Sequence, residues 1–340
     1  MKPVVARTLR ILFVVAVLVM LVMFARTVDW RDTWRAIRTT SIPVLLIAAI
    51  VNLMSLALKG VRWWVFLRPI GVESLWLALR ATFAGAGLNN VLVANGGEAA
   101  RVIFVSRTAH VQSARVLATL ALERLFELVG YVLMLAAAVS ILHLPPSLER
   151  TRPFALLALV VMIGLLVYLV RHPEMADVPA AGEGLFARGK QYARRFLSTM
   201  TDISTPARFV ASLALSVAIW ALQVATYALT AQAAHFPLPL VGTVAALLAV
   251  NLGFAVRATP GNVGLFQMMY AVSAAAFGMD KDLAIGVAFL IQTQQILPVT
   301  VLGLLAAPQM LFAKRRHEPR EDNVLPGEPA PAAAPPVPRA

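Results

Sequence analysis

The chain has 340 residues, 59% of them hydrophobic and only 14% charged, where a soluble domain carries about a quarter charged residues. This excludes a soluble globular domain and predicts a polytopic membrane protein. The net charge of +13 does not imply nucleic acid, because Lys and Arg lie between apolar runs and in the tail, as in loops that face anionic lipid, and zero Cys excludes a disulfide framework, a thiol nucleophile and a cysteine metal site.

In chain order, Lys2, Arg7 and Arg10 precede the apolar run Ile11–Ala25. No clear small-residue cleavage site follows, so an uncleaved first helix is expected rather than a signal peptide. Arg26, Arg31, Arg35 and Arg38 then alternate with Trp30 and Trp34, which suggests an interfacial helix. The run Ile42–Leu58 predicts a span, and Lys59-Gly60-Val61-Arg62-Trp63-Trp64 after it reads as an interfacial anchor, with headgroup contact as the alternative. Leu75–Leu92 leads into a first glycine-rich break, Val93-Ala94-Asn95-Gly96-Gly97-Glu98, followed by Arg101. Val116–Leu142 and Phe154–Val170 are further spans. Residues 171–208 hold six Lys and Arg, including the basic amphipathic stretch Leu185–Met200 expected on the membrane surface. Phe209–Ala233 crosses again, Leu240–Val256 leads into a second break, Thr259-Pro260-Gly261-Asn262-Val263-Gly264, and Leu283–Ala306 is the last span. From Lys314 the chain turns to Pro, Ala and charge and is expected to be disordered.

The two breaks lie 167 residues apart when Val93 is set against Pro260, and the same offset lays Ile42–Leu58 on Phe209–Ala225 and Val116–Leu142 on Leu283–Gln309. Bare backbone at bilayer depth is tolerated where it is buried in protein or lines a cavity, and paired interruptions in two related halves point to a binding site between them. The expected fold is an all-α membrane bundle of about six to eight transmembrane helices built as two inverted repeats, each with a broken or re-entrant hairpin. Residues 1–313 form the membrane domain, with halves at about 42–142 and 209–309, and 314–340 form the tail. Six spans plus two hairpins is the preferred count, and eight full crossings the alternative. The Arg clusters place residues 171–208, Arg101, Arg107, Arg115 and the C-terminus in the cytoplasm, with Arg26–Arg38 on the outer side against the charge rule.

Asn95 can cap a helix with Glu98 three residues on, and Thr259 can cap one with Pro260 at its first position. Helix starts also bind anions, and glycine lets a headgroup approach the backbone, so Gly96, Gly97, Gly261, Asn262 and Gly264 are candidate lipid contacts. Glu123-Arg124-Leu125-Phe126-Glu127 is the strongest single signal. Three charges inside a span cost on the order of 8–10 kcal/mol before compensation. They must face protein or water and pair with Arg101, Arg62 or each other. A structural ion-pair lock and a substrate or proton site are both open readings. Gln292–Gln295 read as interhelical hydrogen bonds. The five His are scattered and no nucleotide loop or nucleophile elbow occurs, so no metal, cofactor or catalytic residue is expected.

Gly97-Glu98-x-x-Arg101, Glu123-Arg124-x-x-Glu127 and Thr259-Pro260-Gly261-Asn262-Val263-Gly264 follow in the order seen in the lysylphosphatidylglycerol synthase transmembrane region family, which the chain resembles over roughly residues 5–313. The resemblance implies movement of a lipid or lipid-linked headgroup between leaflets of the inner membrane, by a stand-alone member without the soluble aminoacyl-transferase domain. Val93 stands where the family usually has Pro, Glu127 where Asp is common, and Gln267 where Glu often follows the last motif. The expected partner is a membrane lipid, bound through Asn95, Gly96, Gly97, Glu98, Arg101, Glu123, Arg124, Glu127, Thr259, Pro260, Gly261, Asn262 and Gly264. The alternative is a non-catalytic partner or scaffold of a lipid or glycan biosynthetic enzyme.

Overall fold

The computed structural model describes residues 28–91, 96–141, 206–254 and 262–306, with the isolated helical positions Met23, Arg26, Pro153, Leu156, Leu157, Val160 and Val161. The runs Ile11–Ala25 and Phe154–Val170 lie largely outside the described residues, and the Leu185–Met200 stretch, the tail, Asn95 and Thr259–Gly261 lie wholly outside them. Among the described residues the regular structure is helical: α1 (Trp30–Arg38), α2 (Ile42–Leu67), α3 (Leu75–Val91), α4 (Gly96–Ala109), α5 (Ser113–Ile141), α6 (Pro206–Ala233), α7 (Leu240–Gly253), α8 (Leu265–Ala275) and α9 (Lys281–Ala306). The helix order of α2–α5 recurs in α6–α9 close to the 167-residue offset.

Local sequence sets the helix ends. Asp29 accepts the Arg31 N–H and caps α1, and Pro43 sits in the first turn of α2, where its missing N–H costs nothing. After α2 a 3-10 turn, Arg68–Ile70, is closed by Gly71 at φ 96°, a left-handed conformation that glycine takes without steric cost. On α1, Thr33 and Ala36 are buried while Trp30 and Trp34 are half exposed, the amphipathic surface helix expected. It lies against α9, where a Cβ on Gly286 would stand 2.9 Å from both Ala36 Cβ and the Thr33 carbonyl oxygen.

Hydrogen bonds fix the direction of each long helix. Ser41 N–H donates to the Ala233 carbonyl at 2.8 Å, and further along Ser55 Oγ donates to the Ile219 carbonyl and Arg62 to Ser216. Residue numbers rise along α2 as they fall along α6, so the two run antiparallel. Trp63 Nε1, near the finish of α2, donates to Thr119 Oγ1 near the start of α5. Thr33 Oγ1, beside the start of α2, donates to the Asp282 carbonyl at the start of α9. Thus α2 and α9 run one way, and α5 and α6 the other. Equivalent helices of the two halves point in opposite directions, which is the inverted arrangement.

The breaks follow from the same directions. α3 enters beside the finish of α2, and α4 returns to the start of α5 at that same end. α7 enters beside the finish of α6, and α8 returns to the start of α9 at the α1 end. At 1.5 Å per residue α3 is about 25 Å long and α7 about 21 Å, short of the ~30 Å hydrocarbon core. α2, α6 and α9 are long and apolar enough to cross a membrane, and α5, with 29 residues, is longer still. Both breaks therefore belong to re-entrant hairpins that enter from opposite ends.

Close approach of backbones holds these hairpins in place. A Cβ on Gly97 would stand 2.0 Å from the Gly85 carbonyl oxygen, and one on Gly87 2.8 Å from Gly303 Cα. Small residues at such crossings are the usual means of packing helices in lipid, where no hydrophobic drive separates helix from solvent. One apolar cluster gathers Trp63, Phe66, Leu67, Val105, Val116, Leu122 and Phe126 in the first half. A second gathers Tyr227, Leu247, Phe266, Tyr270, Ile285 and Ile291 in the other. Ile42, Leu46, Ile50 and Met54, spaced by four on α2, are all more than half exposed and form a lipid-facing stripe.

Candidate functional site

The charges of the first half separate into two groups. Arg101 on α4 and Glu123 on α5 form a closed pair, Nη2 to Oε2 at 3.0 Å, with both residues buried. Arg101 also donates to Thr82 Oγ1 at 3.3 Å, and its guanidinium lies 4.0 Å from the centre of the Trp63 ring, a cation–π contact that replaces part of the lost hydration. Gly85 provides the passage, since a Cβ there would stand 2.3 Å from Arg101 Cγ. This pairing is the geometry that the structural-lock reading of Glu123 requires.

The second group opens onto a cavity. Arg124 Nη1 donates to Glu127 Oε2 at 2.6 Å, and Nη2 pairs with Glu98. The other Glu127 oxygen is 3.6 Å from Arg62 Nη2 and 3.9 Å from Lys59 Nζ. Glu123 and Glu127 share a helix face, yet each has its own cations, so the expected mutual repulsion is divided between two networks. The cavity, of about 350 Å³, is lined by Lys59, Arg62, Arg124 and Glu127 together with Asn52, Asn90, Gln223, Asn251 and Gln295. It lies between the halves: α2, α3 and α5 form one wall and α6, α7 and α9 the other. Asn90 near the finish of α3 and Phe254 just after α7 place it at the inner ends of both hairpins.

Lys59 and Arg62 correct the anchor reading of their segment. Arg62 and Trp63 are fully buried, because α6 packs along α2 and Ser216 Oγ accepts from Arg62 Nη1 at 2.9 Å. Trp64 keeps the anchor role, with Nε1 bonded to the Glu73 carbonyl and Arg68 over its ring.

Two glycines of the breaks, Gly97 and Gly264, bond to the protein itself. Gly97 N–H donates to Asn89 Oδ1 at 2.9 Å, and Gly264 N–H to Gln267 Oε1 at 2.6 Å. The α8 helix starts at Leu265, and ahead of it Asn262 and Gly264 take positive φ, 58° and 90°, which interrupts right-handed helix; the expected cap at Thr259 and Pro260 lies outside the described residues. Asn262 Nδ2 closes the second hairpin onto the Gly253 carbonyl at 3.2 Å. Gly96 begins α4 and is half-buried.

Structure therefore brings Glu98, Arg124 and Glu127 to the cavity network and holds Arg101 and Glu123 beside it. Gly97, Asn262 and Gly264 shape the hairpins. The amides Asn52, Asn90, Gln223 and Asn251 were not singled out from sequence. The available signal was their position inside apolar runs, where an uncharged polar side chain needs a partner or a cavity. In the second half Gln267 Nε2 donates to Gln292 Oε1 at 2.6 Å and Gln294 Nε2 to Thr230 Oγ1 at 2.6 Å, as expected for interhelical bonds.

Residues 9–303 match the family model described as the lysylphosphatidylglycerol synthase TM region. No curated protein and no solved structure gives a significant match.

Proposed function

The chain belongs to the lysylphosphatidylglycerol synthase TM region family, and we propose that it moves a phospholipid or lipid-linked headgroup between the two leaflets through the cavity between its halves. The observation that carries this reading is a charged and amide-lined cavity between two oppositely directed repeats, at the inner ends of hairpins that enter from opposite sides. Ionisable residues at membrane depth are costly and mark pathways, and inverted repeats give two mirror-related states that expose one site to either side in turn. The headgroup occupies the cavity while the acyl chains stay in lipid. The membrane is the inner membrane, and the end bearing Arg68, Arg107, Arg115 and Arg208 faces the cytoplasm by the charge rule. The protein acts as a transporter, with no chemical step.

Reconstitution into vesicles with a fluorescent phospholipid tests this. The wild-type chain should move lipid between leaflets by itself, and Glu127→Gln should slow that movement by about tenfold or more while the protein stays folded in a thermal scan. Glu127 is the carboxylate on which Lys59, Arg62 and Arg124 converge, so its loss alters the cavity without opening the Arg101–Glu123 lock. A fully active Glu127→Gln protein would remove the cavity from the path.

A further inference from the structure

Granting the transport reading, we infer that the cavity takes an anionic phospholipid whose headgroup beyond the phosphate is an uncharged polyol or sugar, not an amine. Charge is the first argument. The cavity wall carries three cations, Lys59, Arg62 and Arg124, against one carboxylate, Glu127, and all three cations already converge on it. Of the neighbouring carboxylates, Glu98 is taken by Arg124 and Glu123 by Arg101. An ammonium entering this space meets a net positive wall and no free acceptor of negative charge. A phosphate meets the reverse.

Arg62 supplies the second argument. It is fully buried and lines the cavity, and among the described residues neither Nε nor Nη2 has a hydrogen-bond acceptor. The Glu127 oxygen at 3.6 Å is beyond hydrogen-bonding distance for Nη2. A buried guanidinium with unused donors is expensive. Its planar fork matches two oxygens of one phosphate, so a phosphodiester seated against Arg62 satisfies donors that the protein leaves open. The remaining polar wall includes five amides, Asn52, Asn90, Gln223, Asn251 and Gln295, with Ser55 and Tyr227. Asn90 and Asn251 spend Nδ2 on the protein, Asn90 on the Ile296 carbonyl and Thr300 Oγ1 and Asn251 on the Leu247 carbonyl, so the wall presents amide acceptors as well as donors, which suits hydroxyls that need both. The volume of about 350 Å³ equals roughly a dozen waters at about 30 Å³ each, room for a phosphate with a glycerol or a sugar.

Native mass spectrometry of the purified full chain, offered equimolar phosphatidylglycerol, phosphatidic acid and phosphatidylethanolamine, tests the inference. Phosphatidylglycerol should be retained about tenfold over phosphatidylethanolamine, and to a smaller degree over phosphatidic acid. The preference should fall in Arg62→Gln and also in Lys59→Gln, whose ammonium makes no hydrogen bond among the described residues and stands 3.9 Å from Glu127. Equal or better retention of the amine-bearing lipid, or a preference unchanged in Lys59→Gln, would overturn the headgroup assignment. If glycerol phosphate without acyl chains binds as tightly as phosphatidylglycerol, the ligand is the free ester and the lipid assignment fails. Vesicle assays separate the two levels. Selective binding without movement between leaflets defeats the transport reading alone, and movement without headgroup preference defeats this inference alone.

Discussion

α5 and α9 occupy equivalent places in the two halves and solve the same problem differently. At the 167-residue offset Glu123, Arg124 and Glu127 of α5 face Leu290, Ile291 and Gln294 of α9. In α9 and its neighbours polarity is amide and hydroxyl, with Gln267 bonded to Gln292 and Gln294 to Thr230. In α5 it is ionic, and two of the cations involved keep unused buried donors, Nε of Arg101 and Nε and Nη2 of Arg62. An amide pair holds membrane helices together at modest cost, since neither partner carries net charge. Charges at the same depth cost more to bury. Of the two halves, the first therefore supplies the ionic groups of the shared cavity and the second its amide groups Gln223, Asn251 and Gln295.

The comparison breaks most visibly at the lock. Glu123→Ala should destabilise the protein by about 3–5 kcal/mol, because Arg101 stays buried without a counter-charge, and the loss should appear as a lower unfolding temperature in detergent. The double variant Glu123→Leu with Arg101→Met should recover much of that loss, since it removes both charges together. If Glu123→Ala unfolds like the wild type, the pair is not a lock.

A middle-sized effect separates the matched glycines. Gly97→Ala drives a Cβ to 2.0 Å from the Gly85 carbonyl and 2.8 Å from Asn89 N, both backbone, and should cost about 1–3 kcal/mol from overpacking with the α3–α4 hairpin displaced. Gly264→Ala meets strain of a different origin, the positive φ of 90°, and should cost about 1 kcal/mol. The same glycine motif thus serves close packing in one half and backbone conformation in the other. Thermal scans of the two variants side by side measure it, and a reversed order would refute the distinction. The smallest effect belongs to Gln294→Leu. Thr230 retains its own bond to the Thr226 carbonyl, so the loss should be about 0.6 kcal/mol, with lipid movement unchanged in the vesicle assay.

Much of this architecture was legible in the sequence. Apolar run lengths predict helices, and the repeat offset predicts that the breaks correspond. Glu123, Arg124 and Glu127 stand out because a charge inside an apolar run is too costly to be incidental. The candidate partners Arg101, Arg62 and Arg124 were legible too, but not which carboxylate each one takes. Whether Arg101 takes Glu123 or Glu127 depends on the rotation of α4 against α5, a tertiary quantity that spacing does not encode. Arg62 reads as an anchor because it lies near the end of its run, and its burial follows from α6 lying antiparallel along α2. The glycine breaks show the same limit. Sequence reveals that backbone is exposed there, but Asn89 and Gln267, which accept the Gly97 and Gly264 N–H groups, are identified as caps by the fold alone.

The surface helix α1 has a mechanical consequence. It continues into α2 of the first half and is fastened to α9 of the second through Thr33 and the Asp282 carbonyl, with Gly286 beneath Ala36. At that same end Ser41 N–H is bonded to the Ala233 carbonyl of α6, and His235 Nε2 lies 3.1 Å from the Thr39 carbonyl oxygen. The two halves are fastened at this rim and again at the other end of α2 and α6, where Arg62 donates to Ser216 and Phe126 lies against Phe209. Along α2, about 39 Å long at 1.5 Å per residue, a tilt of about 10° about one fastening shifts the other by roughly 7 Å, so rocking of one half on the other must break the contacts of one rim at a time.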